Sequence, residues 1–428
     1  MNIRFYNARI LTMKEEEEIF NGELWVQDEK ISFVGKTSEI PQNKILWDRE
    51  IDCNGNLLMP GFKNAHTHSG MTILRSAADD LPLDKWLNEL VFPVESGLTK
   101  EDIYEATKLA VLEYLSSGIT AVLEMYLTPD SVAEAFEDMG MRCVQTCAIN
   151  NFSLSVDKME DYYLNYNNPD SLNSFKLGFH AEYTCSEELL KEISKLAHKY
   201  KAPVYTHLSE TKSETQGCIE RNGMTPLAYL DSFDLFEYGG GVYHCVHITD
   251  DDMEIMKKRG LIVVTNPGSN TKLASGIAPI SEYLKRNIPV AIGTDGPASN
   301  NCLDMFREMF LVTGLAKLKE NDAAAVDASE VLKMATVNGA KVMELNSSDV
   351  LSEGKYADLI MIDLWQPNMQ PIHNIVKNIV YSGSKTNIKM TMINGKILYE
   401  DGKYYTSDSP ENIYAKVEEI VKKKVTLK

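Results

Sequence analysis

The middle of this chain alternates short apolar runs with helical patterns, and that rhythm narrows the possible folds more than any other feature. The runs end at His66, Glu124, Ala148, His180, His207, His244, Thr265 and Asp295. Between them, Thr99-Lys100-Glu101-Asp102 opens a helical pattern as a capping box, and Gly118 closes it. Helix signals recur at Asp130 to Met139, Ser186 to Tyr200, Thr249 to Arg259 and Ser281 to Arg286. Continuously apolar strands are buried on both faces, which implies a parallel sheet covered by helices. Eight such units predict a (β/α)8 TIM-like barrel.

The two ends of the chain have a different period. Ile3 to Ile10, Gly22 to Gln27 and Lys30 to Gly35 alternate like short antiparallel strands. Asn56 to Met59 reads as a buried strand leading to His66. Strand patterns return at Ala357 to Asp363, Ile375 to Ser382 and Ile388 to Ile393, and Asn394-Gly395 is a hairpin signal. The expected organisation is a composite β-sandwich domain from both termini, 1–57 with 355–405. It surrounds a hydrolase barrel, 58–354, and a C-terminal helix follows over 406–428.

A formal net charge of −19 argues against nucleic-acid or anionic-membrane partners and leaves a small molecule as the expected one. The N-terminus has polar and charged residues where a signal peptide needs an apolar stretch, and no segment has transmembrane length. Seven scattered cysteines do not make a disulfide framework. The expectation is a cytoplasmic homo-oligomer.

In a barrel, the residues that close the strands project into one mouth. Of the 8 histidines, His66, His68, His180, His207 and His244 fall there, and Asp295 joins them; His198, His247 and His373 do not. His66 and His68 share a face of an extended segment. Three neutral imidazoles and one carboxylate suit Zn²⁺, with Fe²⁺ or Mn²⁺ as alternatives, one ion per chain. The expected ligands are His66, His68, His207 and Asp295, and their task is to make hydroxide available near neutral pH. Glu210 follows His207 by three residues, beside the metal without being needed as a ligand, and suits proton transfer. His244 is then available to orient or polarise the hydroxide, so Glu210, His244 and Asp295 are the catalytic candidates.

Several longer runs carry a resemblance. They are Pro60-Gly61 before His66-Thr67-His68, Asp79 to Leu87, and Phe92-Pro93-Val94-Glu95, then His207 to Thr211, Asn266 to Gly276 and Gly293 to Asn301. Through them the chain resembles the amidohydrolase superfamily, and within it the 5'-methylthioadenosine/S-adenosylhomocysteine deaminases, nearly end to end. The resemblance implies a mononuclear metal site with the ligands above, Glu210 as proton shuttle and hydrolytic deamination of an adenine nucleoside. It also implies that Glu95 binds the ribose hydroxyls, that His180 contacts the sugar end and that Trp86 belongs to an apolar lid.

The sequence departs from that pattern after strand three. Members that take S-adenosylhomocysteine place arginines there, whereas Thr146 to Ser153 contains none; Lys158 lies near the position of the second. Glu182 stands where a small residue or proline is usual. Rival readings are a guanine or pterin deaminase, or a triazine-type chlorohydrolase, with the same metal chemistry. A dihydroorotase-like binuclear site would need a lysine ending strand four, where this chain has His180. The cytidine-deaminase signature, H-x-E with P-C-x-x-C, is absent. A metal-free scaffold barrel would have lost ligands, and none is missing.

Overall fold

The structure is a computed structural model that describes residues 1–41, 45–77, 79–81, 85–168 and 171–425. Pro82, Leu83 and Asp84 of the loop before Trp86, and the last three residues of the C-terminal segment, lie outside the described residues.

Eight parallel strands run in chain order around the barrel: Phe62–Thr67, Ile119–Tyr126, Arg142–Cys147, Asn173–Ala181, Val204–Leu208, Gly240–His244, Leu261–Thr265 and Val290–Ile292. They are called strands one to eight below. On strand two, Ala121, Leu123 and Met125 pack in one cluster with Tyr205, Tyr243 and Val264, while Val122 packs in another with helix side chains. That period of two separates the barrel interior from its outer layer.

Helices begin where the sequence provides caps. Thr99 Oγ1 accepts from the Asp102 N–H ahead of Lys100–Ser116, and Thr249 does the same for Asp250–Arg259. No described helix is long and apolar enough to cross a membrane.

Strands eight and one meet at a seam joined by specific contacts. The Asp295 N–H donates to the His66 carbonyl at 2.9 Å, and the Thr294 N–H donates to Asn64 Oδ1 at 2.9 Å. A Cβ at Gly293 would lie 2.8 Å from the His66 nitrogen, so glycine is what permits this approach. Barrel closure thus sets Asp295 directly against His66.

The nine-stranded second sheet draws on both termini and encloses its own core, with Ile3, Phe5, Leu24 and Val26 against Leu359, Met361, Met390 and Met392. Asn394-Gly395 forms the turn between Ile388–Ile393 and Lys396–Glu400, as the dipeptide predicts. Two readings are corrected. The run Asn56 to Met59 becomes the strand Leu57–Pro60 of this second sheet, pairing with Leu359–Ile362, and the barrel strand starts only at Phe62. Leu57 and Met59 face the barrel-side core and Leu58 the terminal core, so the run lacks alternation because both of its faces are buried.

The second correction concerns Ile375 to Ser382, which is the helix Ile375–Tyr381. The Asn374 side chain caps it by accepting from the Lys377 N–H, and Ile379 and Val380 are its buried residues. The β-branched run Ile375-Val376…Ile379-Val380 also has the i, i+4 spacing of a helix, and the cap decides between the two.

Candidate active site

His66, His68, His207 and Asp295 converge in the barrel mouth, with one potential ligand atom from each lying within 4.8 Å of all the others. His66 Nε2 is 3.1 Å from His207 Nε2, and His68 Nε2 is 3.1 Å from Asp295 Oδ1. Nδ1 of His207 lies 2.8 Å from the His180 carbonyl, and Nδ1 of His68 faces the Met125 carbonyl. A carbonyl only accepts, so each Nδ1 carries a proton, and each ring when neutral presents its Nε2 lone pair to the centre. His66 is oriented by stacking on Tyr243, with ring centroids 3.8 Å apart.

Lone pairs that face one another at this range fit a cation between them. Ligand bonds of about 2.0–2.1 Å in a tetrahedron put donor atoms about 3.3 Å apart, close to the spacings here. Burial drives the His66 ring down to about 3 and the His180 ring to about 4, so both are neutral. Burial, then the neighbouring imidazoles, holds His207 far below its usual value. Burial opposes ionisation of Asp295, but His66 and His68 outweigh it and keep the carboxylate well below its usual range. Burial likewise opposes a charge on His68, yet Asp295 raises that ring to about 9. The group therefore draws positive charge inward, a demand that a proton on His68 or a divalent cation satisfies. The donor set fits a metal ion.

Asp295 Oδ2 accepts from Ser269 Oγ at 2.6 Å and Ser299 Oγ at 2.9 Å, which fixes the carboxylate while Oδ1 faces the imidazoles. His244 Nδ1 lies 2.8 Å from Asn270 Oδ1. Its Nε2 lies 3.9 Å from both Glu210 Oε2 and Asp295 Oδ2. Burial works against a charge on His244, but these two carboxylates raise its pKa.

Glu210 sits in the segment leaving strand five, ahead of the helix Lys212–Asn222. The half-buried Glu214 carboxylate accepts the Ser209 N–H at 2.8 Å and the Glu210 N–H at 2.7 Å, which fixes the backbone under Glu210. Glu210 Oε1 accepts from Ser275 Oγ at 2.9 Å.

The backbone here is held in a region that side chains disfavour. Ser209 (φ 49°), His244 (φ 67°), Cys245 (φ 49°) and Asp295 (φ 58°) are all left-handed, at a cost of about 1–3 kcal/mol each. Hydrogen bonds between adjacent strand ends retain them. Cys245 N–H donates to the Leu208 carbonyl at 3.0 Å, and the Val246 and His247 N–H groups donate to the Ser209 carbonyl at 3.1 and 3.0 Å.

The remaining candidates fall into two groups. His180 closes strand four with its ring centroid 5.1 Å from that of His207. Glu95 is buried beside the Tyr126 hydroxyl, and Oε1 has no hydrogen-bond partner among the described residues; burial pushes this carboxyl up to about 7. Trp86 is buried and packs in the main core cluster with Val91 and Val94. Lys158 is not brought to the group. It is exposed near the start of the helix Val156–Tyr166, its ammonium 4.6 Å from the centre of the Tyr162 ring. Glu182 also turns elsewhere, pairing with Arg221 at 2.7 Å and accepting from Asn222 at 3.0 Å, so its carboxylate is already neutralised.

Sequence reasoning gave no individual role to Ser269, Asn270, Ser275 and Ser299, although the runs Asn266 to Gly276 and Gly293 to Asn301 contain them. Glu124 is a further case. It lies two residues before the end of strand two, fully buried, and accepts the Ser69 N–H at 3.0 Å, next to His68, with burial raising it to about 7. A carboxylate closing an apolar run was the available signal.

With this geometry in view, likeness to known proteins is informative. The Amidohydrolase family model matches residues 57–398. A 5-methylthioadenosine/S-adenosylhomocysteine deaminase of Thermoanaerobacter pseudethanolicus is 39% identical over 426 residues, 97% of each chain. A 5'-deoxyadenosine deaminase of Methanopyrus kandleri is 39% identical over 393 residues, 90% of this chain and 91% of that one. Among solved structures, an adenosine deaminase from Xanthomonas campestris with bound zinc matches with a TM-score of 0.92 and 30% identity over 98% of each chain. The barrel, its clustered histidines and aspartate, and relatives that match along the whole chain lead to one assignment: this protein belongs to the amidohydrolase family.

Proposed function

We propose that the protein is a zinc-dependent adenine-nucleoside deaminase, which replaces the 6-amino group with oxygen from water and releases the inosine analogue and ammonia. The observation that carries the reading is the meeting of His66, His68, His207 and Asp295 with Glu210 and His244 at one end of the barrel. A single divalent ion held by those four residues supplies Lewis acidity, so that hydroxide is available near neutral pH. Glu210 takes one proton from water and delivers it to the purine ring nitrogen next to the carbon under attack; the second proton of that water passes to the amino group as the C–N bond breaks, which leaves the carbonyl and releases ammonia. His244, poised between Glu210 and Asp295, orients the attacking oxygen. The buried Glu95 accepts from the ribose hydroxyls, and His180 lies at the sugar end.

Relatives named as deaminases of 5'-deoxyadenosine, methylthioadenosine and S-adenosylhomocysteine support this substrate class. Thr146 to Ser153 contains no arginine and Lys158 lies against Tyr162, so a small neutral 5' group suits the pocket better than an amino-acid tail. The test is an ammonia-release screen over adenosine, 5'-deoxyadenosine, methylthioadenosine, S-adenosylhomocysteine, guanine and pterins. Turnover of a free base with no nucleoside activity would overturn the ribose role of Glu95 and favour a guanine or pterin deaminase.

A further inference from the structure

The geometry points to Ser275 as a positioning residue for Glu210, itself held in place by His247. The inference rests on the reading of Glu210 as the group that moves the proton.

A glutamate that receives a proton from water and passes it to a ring nitrogen needs one oxygen fixed and the other free. Left alone, its side chain samples several rotamers. Ser275 Oγ donates to Glu210 Oε1 at 2.9 Å, while Oε2 lies toward His244 Nε2, 3.9 Å away. Ser275 is only 6% exposed, so water competes little for this charge-assisted bond.

Ser275 is placed by groups outside the chemistry. Its N–H donates to the Asn270 carbonyl at 2.9 Å. Its carbonyl accepts from His247 Nε2 at 2.8 Å, and a carbonyl only accepts, so that nitrogen carries the proton. The His247 N–H in turn donates to the Ser209 carbonyl at 3.0 Å, one residue before Glu210. The contacts form a closed circuit, from Glu210 through Ser275 and His247 to Ser209 and back along the chain. The residues flanking Ser275 are both left-handed, Ala274 at φ 55° and Gly276 at φ 127°. A Cβ at Gly276 would lie 2.9 Å from Val246 Cγ1, so the tight turn that presents Ser275 needs glycine there. His247, which does not close a strand, thereby acquires a place in the site without touching substrate.

Steady-state kinetics of metal-loaded full-length protein, with metal content measured beside it, test the inference. The substrate is whichever adenine nucleoside turns over fastest. Ser275→Ala keeps the backbone bonds and removes only the hydroxyl; kcat should fall on the order of tenfold to a hundredfold, with KM within about twofold and metal retained. Ser275→Thr restores the donor and should recover most of kcat. His247→Ala should lower kcat less, and adding it to Ser275→Ala should cost little more, because both act through one bond. An unchanged kcat in Ser275→Ala, a Thr variant as slow as Ala, or a loss explained by missing metal overturns the inference. Glu210→Gln separates it from the reading beneath it. If that variant stays active, the role of Glu210 falls; if it is inactive while Ser275→Ala is as fast as wild type, only the positioning role falls.

Discussion

Around strands one, five, six and eight, the polar side chains of the mouth are buried or half-buried, and several are held by named partners. Asp295 is held by two serines, His244 by Asn270, and Glu210 by Ser275. The rim after strand three is the opposite. Phe152 is 93% exposed, Leu154 is left-handed at φ 59°, and the Lys158 ammonium rests on its own helix. The rim is tied to strand four and the turn after it through Ile149, whose carbonyl accepts the His180 N–H at 3.0 Å, and through Asn151, whose N–H donates to the Thr184 carbonyl at 3.0 Å and whose side chain accepts the Ser186 N–H at 2.8 Å. In the proposed reading, water activation tolerates errors of only tenths of an ångström and is built on strand ends, whereas the 5' group would meet a surface loop that can vary without disturbing the chemistry.

Substitutions measure how sharp this division is. The largest effect is expected at Asp295→Ala, which removes a proposed ligand and the carboxylate that faces the imidazoles together. Activity should drop by about 10³ or more with metal content falling in parallel, read by elemental analysis and ammonia release. Full activity in a strong chelator would break the comparison at its root. Next comes Glu210→Gln, which preserves shape and cannot accept a proton; kcat should fall by about 10² or more with metal still bound. Loss of metal in that variant would make Glu210 a ligand and not a shuttle.

Glu95→Ala stands between the two regions. A hydrogen bond to a charged group contributes about 1.5–3 kcal/mol, so kcat/KM for nucleosides should fall on the order of tenfold to a hundredfold. The smallest change is expected on the rim. Lys158→Ala should leave the ratio of kcat/KM for 5'-deoxyadenosine over S-adenosylhomocysteine within about twofold, as for a surface residue away from the site. If that ratio moves tenfold, the rim takes part in selecting substrate through a conformation that differs from this one.

The same division decides what could be read from the sequence. Histidines at strand ends are legible because the barrel's periodicity fixes where a strand-closing residue points, and His66, His68, His207 and Asp295 meet where that rule puts them. Residues that arrive from loops are not legible in this way. Nothing local marks Ser269 as a partner of Asp295 across 26 positions, or Ser275 as a partner of Glu210 across 65. Lys158 shows the converse, since a position in sequence does not say where a long flexible side chain will lie. In the run from Ile375, one asparagine cap outweighs a β-branched pattern.

The seam between strands eight and one carries one more consequence, for how the molecule comes into being. Asn64 and Thr294 are 230 positions apart, and the Asp295 N–H that meets His66 lies just beyond them. Closing so long a loop is entropically costly, and contacts of such separation form late. A nascent chain presents His66, His68 and His207 well before it presents Asp295. The full set of three histidines and one aspartate does not accumulate strand by strand; it is completed in one late event, when the last strand docks, and fragments that stop short of strand eight lack the aspartate.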